Sequence, residues 1–588
     1  MRLLNVETMK MEEFFDETVP PYAILSHRWG AEEVSFQEWN RVLELEDKIH
    51  SITRQSAFNT ARHANDYYHE IQREKYRKLA EKKIAIRRKA GFSKILSCAE
   101  LVRKQEILIG RKLRLCSYVW IDTCCIDKTN NAELSEAINS MFRWYQNSSL
   151  CLVHFADVPG GLGLNEVEDK VRASDWFERG WTLQELLAPR VVKFFDQSWE
   201  FLFNKESKAP LLAEITRIDE DILTRFYSLS DACTAKKMSW AASRTTTRKE
   251  DLAYCLLGIF GVNMPLLYGE GDNAFLRLQE EIIRQSGDLS IFAWGYHAPK
   301  VYKAGWIFAQ SPADFVGCSN FAMGNNQPAV ISMTNVTLSV RLSYHRPPTE
   351  RLDFIYADLN CFEMGGMANS IFIPLVLEKH QVGITDSDDD TPSLRFKRPA
   401  GARPIPINPT IVRPLHGRTH WILETRTLSI SKNCFEKWHP THGGIFLDGL
   451  DLPSSHVVAE EVYPPIFWGY TATVLDFGDR HVGEEYAQEY DPVGYIRVSR
   501  RNNQSSQMVV VVRPIGYETI KVQLSEWSEW KGASLADFHL SRGLFNEKQN
   551  SVVDLEPGIK GKLFGEFFVR CLNDVIIFSV PKDSTGKS

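Results

Sequence analysis

A chain of 588 residues is too long for one hydrophobic core, because cores stop growing at roughly 250–300 residues, so two or three domains are expected. A hydrophobic fraction of 44% and a charged fraction of 24% exclude a disordered or fibrous chain. A formal net charge of -6 excludes a protein whose main task is coating nucleic acid, so no nucleic acid is expected as a partner.

The opening MRLLNVETMKMEEFFDE soon turns acidic and does not read as a secretory signal. No apolar run in the chain approaches the ~20 residues that span a bilayer, so no transmembrane segment is expected. PYAILSHRWG at 21–30 sets a short apolar run against a polar, glycine-ended turn, and YAILS is predicted as the first strand, with Ser26, His27 and Arg28 at its carboxyl end. The stretch QREKYRKLAEKKIAIRRKA at 72–90 has few helix breakers. It is either a solvated helix in an insertion or a basic surface that touches anionic lipid or nucleic acid, since clustered Lys and Arg attract phosphates.

YVWID at 118–122 repeats the strand design and ends in Asp122, followed by the polar loop TCCIDKTNN. Leu134, Ala137, Ile138, Met141, Phe142 and Tyr145 then fall at helical spacing, and Asn130 with Glu133 reads as a capping box. LCLVHF at 150–155 and VVKFF at 191–195 are two further strands. Continuous apolar strands alternating with helices imply a parallel sheet covered on both faces, whose binding residues gather at the strands' carboxyl ends. Those ends carry Ser26, His27 and Arg28, then Asp122 and Asp127, then Asp157.

From Arg248 the sequence RKEDLAYCLLGIFGVNMPLLYGEG leads into a helix in which Asp272 is a candidate cap and Phe275, Leu278 and Ile282 face inward. Beyond residue 300, short runs such as VTLSVRLSY, SIFIPLVLE, QMVVVVRPI and DVIIFSV predict a mainly β domain. The segment 385–410, acidic and then proline-rich, reads as a long loop. The expected organisation is therefore an α/β amino-terminal domain over 1–200 with a basic insertion at about 46–91, a helical annex over 201–297, and a β-rich domain over 298–588.

The eleven cysteines include Cys151 and Cys255 within apolar segments and read as reduced, buried thiols, which points to a reducing compartment and a cytoplasmic location. The adjacent Cys124 and Cys125 have no second CxxC or paired histidines beside them, so no metal site is expected. There is no Gly-x-x-x-x-Gly-Lys-Ser/Thr loop, Gly-x-Ser-x-Gly elbow or His-Glu-x-x-His helix, and no permanently bound cofactor is expected.

Three blocks carry a family resemblance: YAILSHRWG at 22–30, VWIDTCCIDKTNNAELSEAINSMFRWY at 119–145 and DWFERGWTLQELLAP at 175–189. In this order they resemble the fungal heterokaryon-incompatibility (HET) domain, and MRLLN and the segment from Lys249 to Trp294 resemble what surrounds that domain. The region at 46–91 is longer and more basic than the resemblance leads one to expect. A second, shorter resemblance is to TIR domains: Ser26-His27-Arg28-Trp29-Gly30 is similar to their Ser-Phe-Arg-Gly turn, and Trp181-Thr182-Leu183-Gln184-Glu185-Leu186 to the segment that supplies a glutamate cleaving NAD.

What the resemblance implies is an effector of vegetative incompatibility that triggers programmed cell death, self-associates through its HET domain and answers to an unknown partner of the β domain. NAD is then the implied substrate. Cleavage of a nicotinamide–ribose bond resembles glycoside hydrolysis, and one carboxylate suffices because the leaving group is already cationic. Glu185 is the catalytic candidate, or else a solvated helical glutamate. Arg28 and Ser26 either hold a phosphate or close the strand end. His27 is a base or a packed turn residue, and Asp122 and Asp127 bind ribose hydroxyls or fix their loop. Trp29 and Trp181 wall a pocket or belong to the core. The alternative reading of the whole is a non-enzymatic module that recruits other death proteins.

Overall fold

The structure is a computed structural model that describes residues 1–15, 18–60, 66–109, 112–296, 305–324, 329–346, 354–364, 370–377, 395–398, 404–407 and 422–434, and, further on, 445–448, 457–463, 474–475, 494–500, 503–515, 519–526, 553–555, 562–564, 567–572 and 575–579. The chain divides into two compact units. One comprises Met1–Ala232, Lys237–Gln285 and Gln310–Ala313, and the other Cys233–Lys236, Ser286–Ala309 and Asp314–Ser588.

The first unit runs β1 (Arg2–Asn5), β2 (Met11–Glu13), β3 (Ala23–His27), α1 (Phe36–Thr60), α2 (Asp66–Arg87), α3 (Ala90–Arg103), β4 (Glu106–Ile109), β5 (Lys112–Leu115), β6 (Tyr118–Trp120), α4 (Asp122–Cys125), α5 (Asn131–Asn147), β7 (Leu150–His154), α6 (Leu164–Arg172), α7 (Thr182–Leu187), β8 (Val192–Phe195) and β9 (Phe201–Asn204). Short helices follow: α8 (Ala209–Thr216), α9 (Glu220–Leu223), α10 (Thr234–Ser239), α11 (Asp251–Tyr254), α12 (Leu257–Phe260) and the longer α13 (Asn273–Gln285). Phe275, Leu278 and Ile282 of α13 are buried, as their spacing requires.

Seven strands form one sheet in the order β2-β1-β6-β3-β7-β8-β9. The pairs β6–β3, β3–β7 and β7–β8 are parallel. The expectation of a purely parallel sheet needs correction, because β1 and β2 at one edge and β9 at the other pair antiparallel. YAILS is accordingly not the first strand. The edge strands are three or four residues long and half polar, so they lack the continuous apolar run that betrays β3 and β7, where every residue is buried. A second correction concerns Asp122, which does not end β6 but opens the short helix α4.

Neighbouring residues of an extended strand point to opposite faces of its sheet. Ser26 and His27 therefore look to different sides, Ser26 toward α7 and His27 toward α3. Helix α5 buries Ala137, Ile138, Met141 and Tyr145, the face read from its periodicity. Asn130 caps it by accepting from the amides of Ala132 (3.1 Å) and Glu133 (3.4 Å). The expected capping box is only half made, because the Glu133 carboxylate instead takes the Asp127 amide (2.8 Å) and the Arg2 guanidinium (2.8 Å). On its outer side α5 meets α12, where Gly258 lies so close to Phe142 that no β-carbon fits between them.

The basic segment is helical, as expected, and largely exposed. Helix α2 lies against α1 through Lys83 and Arg87, which reach Glu46 at 2.8 and 3.6 Å. Trp39 of α1 in turn stacks on Phe92 of α3, with ring centroids 5.2 Å apart.

The second unit is strand-rich, as the short alternating runs imply. Its longest pairing joins Thr337–Arg346 to Ile422–Ser431, antiparallel along their whole length. Leu338, Val340, Leu342 and Tyr344 are buried at every second position of the first of these strands, a period of two. The runs SIFIPLVL and QMVVVVRPI lie within the strands Ser370–Leu377 and Asn503–Ile515. The expected loop at 385–410 is corrected by two short strands inside it, Arg395–Lys397 and Ile405–Ile407; its other residues, save Arg398 and Pro404, lie outside the described ones. Nine of the cysteines are buried and free, Cys151 and Cys255 among them.

Candidate active site

Helix α7 carries the sequence TLQELL and cannot run further, since Pro189 follows and its ring would clash with a continued helix. Its residues Leu183 and Leu186 are buried, and Glu185 between them is only 7% exposed. A carboxyl group in that position needs a partner. It has one in Ser26, whose hydroxyl donates to Glu185 Oε2 at 2.5 Å, while the Trp176 indole N–H donates to Ser26 Oγ at 3.0 Å. Tyr145, on the inner face of α5, adds a hydrogen bond to Glu185, and its hydroxyl donates to the Leu25 carbonyl at 2.9 Å. Burial, and then the Asp122 charge, push the Glu185 carboxyl up to about 8, against the opposing pull of the Ser26 hydroxyl and the Arg179 guanidinium. At neutral pH it mostly holds its proton.

On the other face of β3, His27 is 5% exposed and lies in register with His154 on β7. Burial, followed by the charges of Lys94, His154, Lys128 and Arg179, holds His27 well below the ordinary histidine range, so it is neutral. Its Nδ1 stands 3.9 Å from Asp122 Oδ1 and its Nε2 3.9 Å from Glu33 Oε1, too far for hydrogen bonds. Asp122 accepts from the Trp29 indole N–H at 2.8 Å, and burial raises its carboxyl above the usual range despite the neighbouring Lys128. The Trp29 ring is 41% exposed and carries the Lys128 ammonium 3.6 Å from its centroid.

Of the residues singled out from the sequence, five thus lie at the carboxyl edge of the parallel strands, Ser26 and Glu185 on one face of β3 and His27, Trp29 and Asp122 on the other. Arg28 stands beside them, but its guanidinium is paired with Asp175. Asp175 in turn is positioned by Asp157, which accepts from the Asp175 amide (2.8 Å) and the Ser174 hydroxyl (2.8 Å). Asp127 is not brought to Glu185; it accepts from the Thr129 amide at 2.9 Å and hydroxyl at 2.5 Å and so fixes its own loop. Trp181 is half-buried and hydrogen-bonds Asp251 of α11. The sequence reading passed over Tyr145, Trp176 and Arg179. Trp176 and Arg179 lie within the third quoted block, and a tyrosine on an otherwise apolar helix face signals a hydroxyl in need of a partner. Among the described residues no cluster of three His, Cys, Asp or Glu side chains is arranged to hold a metal ion.

A mixed α/β sheet with a buried, serine-bound glutamate at its carboxyl edge defines an α/β domain with a polar site at a strand end. Residues 22–163 match the family described as heterokaryon incompatibility protein (HET), and the chain carries a HET domain. The matched stretch includes Ser26 and Asp122 but stops short of Glu185. Residues 273–306 match a domain of unknown function, DUF8212. The chain is similar to the vegetative incompatibility protein HET-E-1 of Podospora anserina, with 37% identity over 279 residues. That alignment covers 46% of this chain and 17% of the relative, so the chain spans well under a fifth of the relative's length. No solved structure matches the chain. Among the described residues no helix is long and apolar enough to cross a membrane.

Proposed function

We propose that this protein is a fungal vegetative-incompatibility effector whose HET-containing unit triggers cell death by cleaving NAD when clustered. The observation that carries this reading is the buried Glu185 held by Ser26 at the strand edge. In the reaction the bond from ribose C1′ to the nicotinamide nitrogen breaks, and its electron pair stays on the ring nitrogen and neutralises the pyridinium. No acid is needed for departure. The Glu185 carboxylate offsets the oxocarbenium charge left on the sugar, and water then adds to C1′ and passes a proton to that carboxylate, restoring its protonated resting form. Both the pyridinium and the oxocarbenium are cations, so their approach favours the ionised form of Glu185. Ser26 fixes the carboxylate's orientation. A self-associated state is the active one, because clustering closes the site against bulk water while the single attacking water is retained, and the strand-rich unit takes a protein partner.

The test uses the full chain, purified and artificially clustered, with nicotinamide release from NAD as the readout. Wild type is expected to release nicotinamide, and Glu185→Gln to do so on the order of 10²–10³ more slowly, the cost of one lost electrostatic stabiliser. Expression in a fungal host is expected to arrest growth for wild type and not for the variant. Equal release from both proteins, or none from either, removes the enzymatic reading. Toxicity that then persists in Glu185→Gln and is abolished by substitutions on the exposed side of α5 identifies a non-enzymatic recruiting module.

A further inference from the structure

The cations at the carboxyl edge of the sheet are committed to different degrees. Lys94 is paired with Glu33, Arg28 with Asp175, and Lys128 packs on the Trp29 ring beside Asp122. The Arg179 guanidinium has no hydrogen bond or ion pair among the described residues. Its neighbours are the Trp29 ring, 5.8 Å from its central carbon, and the ionisable groups of Glu185, Asp122, His27 and Lys128.

The backbone beneath that free side chain is held from several directions. The carbonyl of Arg179 accepts from the Arg244 guanidinium at 2.8 Å, and Thr182 Oγ1 lies 2.9 Å from the same carbonyl. The Gly180 amide donates to the Thr245 carbonyl at 2.9 Å, and the Thr245 amide to the Glu178 carbonyl at 2.6 Å. Only glycine permits this approach, since a β-carbon at 180 would stand 2.6 Å from Thr246 Cγ2. Arg244, itself 6% exposed, also donates through Nε to the Trp240 carbonyl at 3.2 Å. The backbone is thus fixed while the guanidinium stays uncommitted, so an arriving anion need displace no existing partner and only the side chain has to be ordered.

We propose that Arg179 is the anion receptor of this site and takes the pyrophosphate of a dinucleotide, while Arg28 fixes the strand end through Asp175. The planar fork of arginine matches two phosphate oxygens at once. Trp29, half exposed, oriented by Asp122 and carrying the Lys128 ammonium on its ring, stands beside it and adds a second cation to the same neighbourhood. The identity of the anion as a dinucleotide rests on the NAD-cleavage reading; the assignment of the receptor to Arg179 does not.

Calorimetric titration of the full chain with inorganic pyrophosphate and with ADP-ribose tests the proposal without requiring catalysis. Wild type is expected to bind both, ADP-ribose the more tightly. Arg179→Gln is expected to weaken both by about tenfold or more, and Arg179→Lys by less, since it keeps the charge and loses the fork. Arg28→Gln is expected to change either by no more than about twofold. Arg179→Gln breaks no hydrogen bond or ion pair among the described residues and loses only the distant Trp29 ring contact, so its melting temperature is expected to match that of wild type; if it falls, Arg179→Lys decides. Failure of wild type to bind either probe, unchanged binding by both Arg179 variants, or a larger loss in Arg28→Gln than in Arg179→Gln overturns the proposal. Arg179-dependent binding together with no nicotinamide release leaves the receptor standing and removes NAD cleavage. Binding of pyrophosphate and ADP-ribose with equal affinity assigns the site to a free phosphate anion rather than a dinucleotide, which overturns the proposed ligand.

Discussion

Ser26 and Glu185 lie 159 residues apart in the chain and share a 2.5 Å hydrogen bond, with the serine donating. One sits at the carboxyl end of a central parallel strand and the other on a six-residue helix packed against that strand, so the contact exists only when the sheet and α7 are both in place. Hydroxyl partners do not compensate a buried charge, and the carboxyl is pushed up to about 8 from an ordinary value of 4.5.

The first prediction follows from this shift. Between about pH 4.5 and 8 the unfolded state releases the Glu185 proton and the folded state keeps it, so stability contributed by the neutral form is full below 4.5 and is lost as pH rises toward 8. Glu185→Gln keeps the shape and an acceptor for Ser26 but has nothing to ionise. It is expected to be more stable than wild type at pH 7, by on the order of 3 kcal/mol at most, and equal to it near pH 4. Thermal melts at the two pH values check this. A variant less stable than wild type at pH 7 would show that the carboxyl is ionised in the fold.

A second prediction concerns proton balance. If a cationic ribosyl group approaches Glu185, the proton held at pH 7 is expelled, so NAD binding is expected to release up to about one proton in wild type and none in Glu185→Gln. Titrations in two buffers of different ionisation heat report the difference. Equal proton release in the two proteins would place the cation elsewhere.

The legible parts of the fold were those in which a local pattern had a single physical meaning. The uninterrupted apolar runs of β3 and β7 could only be buried on both faces, and the helical spacing through Tyr145 marked the inner side of α5. The strands β1 and β2 carry no such signal, because β2 lies at the sheet's edge and β1 beside it has only two apolar residues, Leu3 and Leu4. In the site, Ser26 lies where the rule that strand ends gather polar groups puts it, whereas Asp122 lies beyond the end of β6, past Ile121, at the start of α4. Arg244 was not legible, because two of its partners, the carbonyls of Arg179 and Trp240, are backbone atoms that leave no trace in residue identity, and the third, the Thr182 hydroxyl, lies 62 residues away in the chain. At Arg28 the structure has an ion pair and at Asp127 a loop hydrogen-bonded to its own aspartate.

The third prediction tests the seam between α5 and α12. A β-carbon at position 258 would collide with the Phe142 side chain, which is attached to a helix packed on the sheet and cannot simply turn aside. Gly258→Ala is expected to cost about 1–3 kcal/mol by overpacking. Phe142→Ala should be costly by itself, yet the double variant should be more stable than the sum of the two losses implies, with a coupling of about 0.5–3 kcal/mol. Additive losses in denaturant unfolding would mean that the two helices are not in contact there.

The last prediction concerns how so short a helix holds Glu185 in place. Six residues cannot sustain a helix on their own hydrogen bonds, and the carbonyls at its end need donors from elsewhere. Lys205, 2% exposed, supplies them, its ammonium donating to the carbonyls of Leu186 at 3.1 Å and Pro189 at 2.8 Å, while Arg225 reaches the carbonyl of Ala188. Burial, and then the charge of Arg225, push Lys205 down to about 8 from 10.5. Lys205→Met keeps the apolar stem and strands two carbonyls, at an expected cost of about 1–3 kcal/mol, moderated by no longer burying a charge. The sign of the pH dependence is fixed by the depressed value. Below about 8 the amine is protonated in both folded and unfolded states, so the burial penalty is constant. Between 8 and 10.5 the folded state sheds the proton first, and wild type gains on the variant. Denaturant unfolding of wild type and Lys205→Met at pH 7 and pH 9.5 should therefore show a gap that favours wild type and widens at the higher pH. A gap that narrows, or a variant as stable as wild type at both, would mean that α7 is held by packing alone.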